Sequence, residues 1–172
     1  MAALDTVLRG TGILRAMGCH VCEPDDAYVL CETEEARVLL PPRPHISPRD
    51  GGHLVATPKL HVQSRRDLSA GALLSVELLT MVAADALEAV FGTAWFNFQE
   101  NGNWGVDRPE RQHMHVHVYG RRSDAVDQPY GEALRFPLRE DVPAWRVVAP
   151  NDDERRDLKR AAASALARRQ RT

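Results

Sequence analysis

The sequence predicts an α+β domain: an antiparallel sheet with one long helix packed on it, followed by a C-terminal extension that ends in a second helix. Three observations predict it. A chain of 172 residues that is 44% apolar fills one hydrophobic core and is short for two. Its patterned segments run strands, one long helix, then strands, an order that belongs to α+β rather than to alternating α/β folds. The strands are joined by connections of hairpin length, which suit antiparallel pairing.

The elements follow in order. Residues 1–17 are broken by Gly10 and Gly12 and read as a short helix or turn leading to Cys19. Apolar runs at 27–33 and 36–40 flank the polar Thr33-Glu34-Glu35, the pattern of a hairpin. Pro41, Pro42, Pro44 and Pro48 force an extended connector, because proline lacks an amide donor and restricts the residue before it. Residues 53–57 form a further strand, ended by Pro58. Then Asp67 or Ser69 caps a helix whose Leu73, Leu74, Val76, Leu78, Leu79, Val82, Ala86, Leu87 and Val90 keep helical spacing, with Gly92 as its stop. Residues 93–99 read as a strand, 100–111 as a loop and 112–119 as another strand. Short strands are expected at 133–138 and 145–149. A terminal helix, capped by Asn151 or Asp152, runs to about Arg169, acidic first and basic last as its dipole prefers.

Composition narrows the partners. Lys and Arg number 22 against 24 Asp and Glu, a net charge of −2, so a nucleic acid polymer is not the expected partner. Apolar stretches such as 71–79 are interrupted by Ser and Glu, and no run approaches the ~20 residues of a membrane span. The N-terminus lacks the pattern of a secretion signal, so a cytoplasmic location is expected. Three cysteines, an odd number, argue against a disulfide framework there. Cys19-x-x-Cys22 suggests metal or redox chemistry, whereas Cys31 sits in an apolar alternation and reads as core.

The sharpest feature is His113-Met114-His115-Val116-His117-Val118. Histidines at i, i+2 and i+4 share one face of a strand, ~6.5–7 Å apart, while Met114, Val116 and Val118 face the core. Two chemistries use such a row. The imidazoles converge on a catalytic metal, with Glu100 or Asp107 as a carboxylate ligand, or one imidazole is a nucleophile that its neighbours orient. The bland alternative is a polar sheet face with three solvated histidines.

Together with Val118-Tyr119-Gly120-Arg121 and the upstream Gly52-His53-Leu54-Val55-Ala56-Thr57-Pro58-Lys59-Leu60-His61-Val62, followed by Asp67-Leu68-Ser69, this row resembles the histidine triad (HIT) superfamily. The resemblance covers roughly 19–122 of one domain spanning 1–172, leaving 123–172 as an extension without a counterpart. It implies a nucleotide hydrolase or nucleotidyltransferase. His115 would attack the α-phosphorus and form a covalent nucleotidyl-histidine; His117 would hold its tautomer or bind phosphate, with His113 at the entry. No cofactor is needed for that attack. Asn97 and Asn101-Gly102 resemble the family's phosphate-contacting loop, though Asn and Gly also belong to ordinary turns. Cys19, Cys22, His61 and His113 resemble the structural zinc set of C-x-x-C relatives, with intervals of 39 residues from Cys22 to His61 and 52 from His61 to His113. The other reading is a pair of reduced thiols packed as small apolar groups. A homodimer is implied as well, since the sheet has an edge to cover.

Two departures stand out. The chain has Arg108-Pro109-Glu110-Arg111-Gln112 where relatives carry Gly-Gln-[Ser/Thr]-Val, so Arg108 or Arg111 takes over phosphate binding or is a solvated charge run. His45 precedes Ile46 where many relatives have an acid that holds the ribose; a nucleotide contact there falls to an imidazole. The altered loop also leaves open a nucleotide-binding module without turnover.

Overall fold

The computed structural model describes residues 19–102, 112–136 and 147–171. The architecture is the expected one: a five-stranded antiparallel sheet and a long helix, with strands β1 (Val29–Glu32), β2 (Ala36–Leu39), β3 (His53–Pro58), β4 (Trp95–Gln99) and β5 (Val116–Arg121) in the order β1-β2-β3-β5-β4. The hairpin closes where Thr33 Oγ1 accepts from the Ala36 amide at 3.1 Å.

Helix α1 (Ala70–Phe91) starts on Ser69, whose hydroxyl accepts from Ala72 N–H, and stops on Gly92 in the left-handed region at φ 67°. Its buried face, Val76, Leu79, Val82, Ala83, Ala86 and Leu87, packs on Val38, Leu54, Ala56, Val116 and Val118 of the sheet. In length and composition α1 passes for a membrane span, contrary to the sequence expectation; its packing on the sheet makes it the core helix. Helix α2 (Asp152–Arg169) is closed by a capping box, Asn151 with Glu154, and lays Leu158, Ala162, Ala165 and Leu166 into the same core. Arg169 anchors it to α1 through two bonds to Asp85, each 2.8 Å.

Three expectations need correction. Strand β5 begins at Val116, so residues 112–115 are extended but outside the ladder; the Met114 amide bonds instead to Val62 O at 2.7 Å. Residues 133–136 and 147–149, the described parts of the two late strands, form none. Instead, 122–136 is tied to the sheet by buried polar groups and by Phe136, whose ring centroid lies 5.7 Å from that of Tyr119. Arg121 donates to Asn97 Oδ1 and to the carbonyls of Pro129 and Glu132, and Asp50 Oδ1 accepts from the Val126 amide at 2.6 Å. Where the chain enters β3, Gly51 at φ 128° passes so close to Gly120 that a Cβ would lie 2.3 Å from the Gly120 oxygen.

Candidate functional site

Period-two alternation sends Val116 and Val118 to the core and puts His117 and Tyr119 on the opposite face. There the register sets His53 directly across from Tyr119 and Val55 across from His117. The proline-rich connector returns His45 to the same place, its ring stacked on His53 at 4.7 Å between centroids.

Hydrogen bonds link these rings in a row with one consistent set of tautomers. The His45 backbone amide donates to His53 Nδ1 at 3.1 Å, so His53 carries its proton on Nε2. That nitrogen is 2.9 Å from His117 Nδ1, which accepts and leaves the His117 proton on Nε2. His117 Nε2 is 3.1 Å from His115 Nε2, and His115 Nδ1 donates to the His113 carbonyl at 2.6 Å. A backbone donor at one end and a backbone acceptor at the other fix the direction of the row. His115 thus carries its lone pair on Nε2, the nitrogen a neutral imidazole nucleophile uses, where it accepts from His117 Nε2–H. Burial is the main cause that pushes His117 down to about 3 and holds His53 well below its usual value, with neighbouring imidazoles adding to it. Both rings are neutral at pH 7.

The row opens on a cavity of about 490 Å³, lined by His20, Tyr28, Pro41, His45, His115 and His117 among others. Its size and mixed apolar and imidazole lining suit a small organic ligand. The sequence reading missed His53 and Tyr119 as site residues. The motif around His53 gives that residue no role of its own, and Tyr119 faces the site only through the β3–β5 register.

The triad does not converge. His113 turns away from His115, and its Nδ1 lies 3.5 Å from Cys19 Sγ and 3.4 Å from Cys22 Sγ; Cys22 Sγ is 3.3 Å from His61 Nδ1. The four ligand atoms lie within 4.8 Å of one another. A tetrahedral zinc with bonds of about 2.3 Å to sulfur and 2.0–2.1 Å to nitrogen spaces S and N by roughly 3.6 Å, so the set fits zinc. His113 Nε2 is 2.9 Å from the Pro58 carbonyl, the outer hydrogen bond that orients a ligating imidazole. Among the described residues, the other such group is His45, His53 and His117; the triad histidines are not a group. Glu100, a candidate carboxylate ligand by sequence, is paired with Arg65 at 2.5 Å.

Asn97 spends its side-chain oxygen on Arg121, and neither Asn97 nor Asn101 is among the residues that line the cavity. Arg108, Arg111 and Asp107 lie outside the described residues. Cys31 packs against the core as expected, and burial pushes its thiol up to about 12.

No family model and no curated protein matches the sequence. Solved structures do. A zinc-bound histidine triad family protein from Mycobacterium smegmatis is similar at 20% identity and TM-score 0.63, over 90% of this chain and 99% of that one. A diadenosine triphosphate hydrolase from Plasmodium falciparum is similar at 14% identity and TM-score 0.52, over 86% of this chain and 80% of that one. A uridylyltransferase is similar at 13% identity and TM-score 0.56, over 88% of this chain and 47% of that one. At these identities the likeness shows the fold, and the fold is that of histidine triad proteins.

Proposed function

We propose that this chain is a nucleotide-acting enzyme, a hydrolase or nucleotidyltransferase, in which His115 Nε2 attacks the α-phosphorus of a nucleoside phosphate derivative. The observation that carries the reading is the histidine row, which leaves the His115 lone pair on Nε2 at the cavity and fixes the opposite nitrogen to the His113 carbonyl. In the attack an N–P bond forms, the bond from phosphorus to the leaving group breaks, and the leaving group departs with the electron pair. The His117 Nε2 proton, no longer accepted by His115, then stays beside the phosphoryl oxygens as a donor. Water adds to phosphorus and gives up a proton to solvent, the N–P bond breaks with its electron pair returning to His115 Nε2, and the nucleotide is released; another acceptor in place of water gives transfer. The similar solved structures include a hydrolase and a transferase of nucleotides, which supports the class.

Zinc at Cys19, Cys22, His61 and His113 belongs to this reading as a structural ion: four protein ligands leave no open position. It would tie the N-terminal segment, which lines the cavity through His20 and Pro24, to the chain just before His115. Contacts to the nucleotide are assigned to His45, which lines the cavity, and to Arg108 or Arg111; Asn97 and Asn101, which do not line it, are left as strand and loop residues. A second copy is placed along edge strand β4, where Trp95 and Phe98 are 64% and 45% exposed. The reducing cytoplasm, which keeps Cys19 and Cys22 as thiols, is the matching compartment.

The test is a screen of nucleoside phosphoramidates, dinucleoside polyphosphates and nucleotide sugars, scored by released nucleotide, with parent protein and His115→Ala. Turnover by the parent, abolished in a folded His115→Ala, is expected. Residual activity within tenfold of the parent overturns the nucleophile assignment.

A further inference from the structure

The side chains of His45 and Tyr119 take no part in the row of tautomers, yet they are built into its base. Tyr119 is fully buried, and its hydroxyl lies 2.8 Å from His45 Nδ1. Burial pushes the phenol pKa well up, so the group is a neutral hydroxyl with one proton to place. Among the described residues, His45 Nδ1 is its hydrogen-bond partner. The reverse bond, from His45 Nδ1–H to the phenol oxygen, would strand the phenol proton where water does not reach, the costly outcome for a buried donor. Tyr119 therefore donates and His45 Nδ1 accepts. The neutral ring then carries its own proton on Nε2.

That ring is held in place on both sides. It stacks on His53 at 4.7 Å and meets the edge of Phe136 at 5.6 Å. It also lines the cavity that contains His115 and His117, and a neighbouring one of about 540 Å³. A ring so fixed lines the cavity with one defined tautomer.

We propose that Tyr119 is a positioning residue that locks His45 as an Nε2–H donor, and that the ligand oxygen met by His45 is a hydrogen-bond acceptor. For the identity of the ligand the inference rests on the nucleotide reading above; for the Tyr119–His45 lock it does not. A carboxylate on this wall would select an oxygen that carries a proton to give. His45 selects an oxygen that accepts, so a phosphoryl or ether oxygen is admitted as readily as a hydroxyl.

The experiment uses the full-length, metal-loaded protein. Nitrogen-15 NMR of the imidazoles reads the His45 tautomer, and calorimetry reads binding of AMP and GMP. In the parent, His45 is expected as the Nε2–H tautomer. In Tyr119→Phe that tautomer becomes mixed, and AMP or GMP binds about three- to tenfold more weakly, the weight of one hydrogen bond. In turnover, Tyr119→Phe should move KM more than kcat, because the row runs through the His45 amide and not its ring. His45→Gln, which keeps an acceptor and a donor, should lose less binding than His45→Glu, which has acceptors alone; this pair also decides the matter if Tyr119→Phe does not fold. An Nδ1–H tautomer in the parent overturns the lock. Equal or tighter binding by His45→Glu than by His45→Gln overturns the acceptor assignment. If the parent binds neither nucleotide at millimolar concentration, the nucleotide reading fails and the acceptor assignment with it, while the tautomer still decides the lock.

Discussion

His53 Nε2 lies 2.9 Å from His117 Nδ1, between side chains that are 2% and 5% exposed, so this hydrogen bond forms without competition from water. His53 thereby sets which nitrogen of His117 faces His115. Replacing it with Ala leaves a buried acceptor unpaired and frees His117 to flip its tautomer. The expected loss is about 1–3 kcal/mol, or roughly ten- to a hundredfold in kcat/KM. Steady-state kinetics of His53→Ala on a substrate from the screen checks it, and a loss below threefold contradicts the row.

The Cys₂His₂ cluster predicts about one zinc per chain. Cys22 contacts both His61 and His113, so Cys22→Ser should lower zinc content and melting temperature together. Elemental analysis alongside thermal unfolding measures both. A parent protein free of metal, or a Cys22→Ser variant of unchanged stability, would remove zinc from this fold.

Stability should fall on the acid side of neutrality. Burial holds His53 and His117 below the ordinary histidine value of 6.5, to which unfolding returns them. Above pH 6.5 neither state takes up their protons, and the contribution is whole. Between about pH 6.5 and 5 the unfolded chain binds protons that the folded one refuses, which costs about 1.4 kcal/mol per pH unit for each such group. Urea unfolding at a series of pH values should show this slope, flattened in His53→Gln. An identical slope in the two proteins would mean that the row does not control it.

Arg108 or Arg111 is predicted to supply a phosphate contact where histidine triad proteins carry Gly-Gln-[Ser/Thr]-Val. Truncating a guanidinium that pairs with phosphate costs about 1.5–3 kcal/mol, roughly one to two decades in kcat/KM. One of the two Ala variants should show that loss. Both within threefold of the parent would make the segment a solvated charge run.

The sequence by itself determined both helices and the order of the five strands, because these are written in local terms, whereas the described parts of the short strands expected at 133–138 and 145–149 form none. Ser69 and Gly92 cap α1, Asn151 and Glu154 box the start of α2, and alternation from Met114 to Val118 sends one set of side chains to the core. The set Cys19, Cys22, His61 and His113 was legible too, through its resemblance to the zinc sites of C-x-x-C histidine triad proteins, and the structure gathers the four. Tertiary structure decided which groups share the site. The β3–β5 register, a long-range pairing that no local pattern encodes, brings His53 opposite Tyr119 and both beside His117. The start of the ladder at Val116 parts His113, turned to the thiols, from His115 and His117, turned to each other. Three histidines equal in the sequence thus take different duties, because burial and hydrogen-bond partners, not spacing, assign a tautomer and a role to each ring.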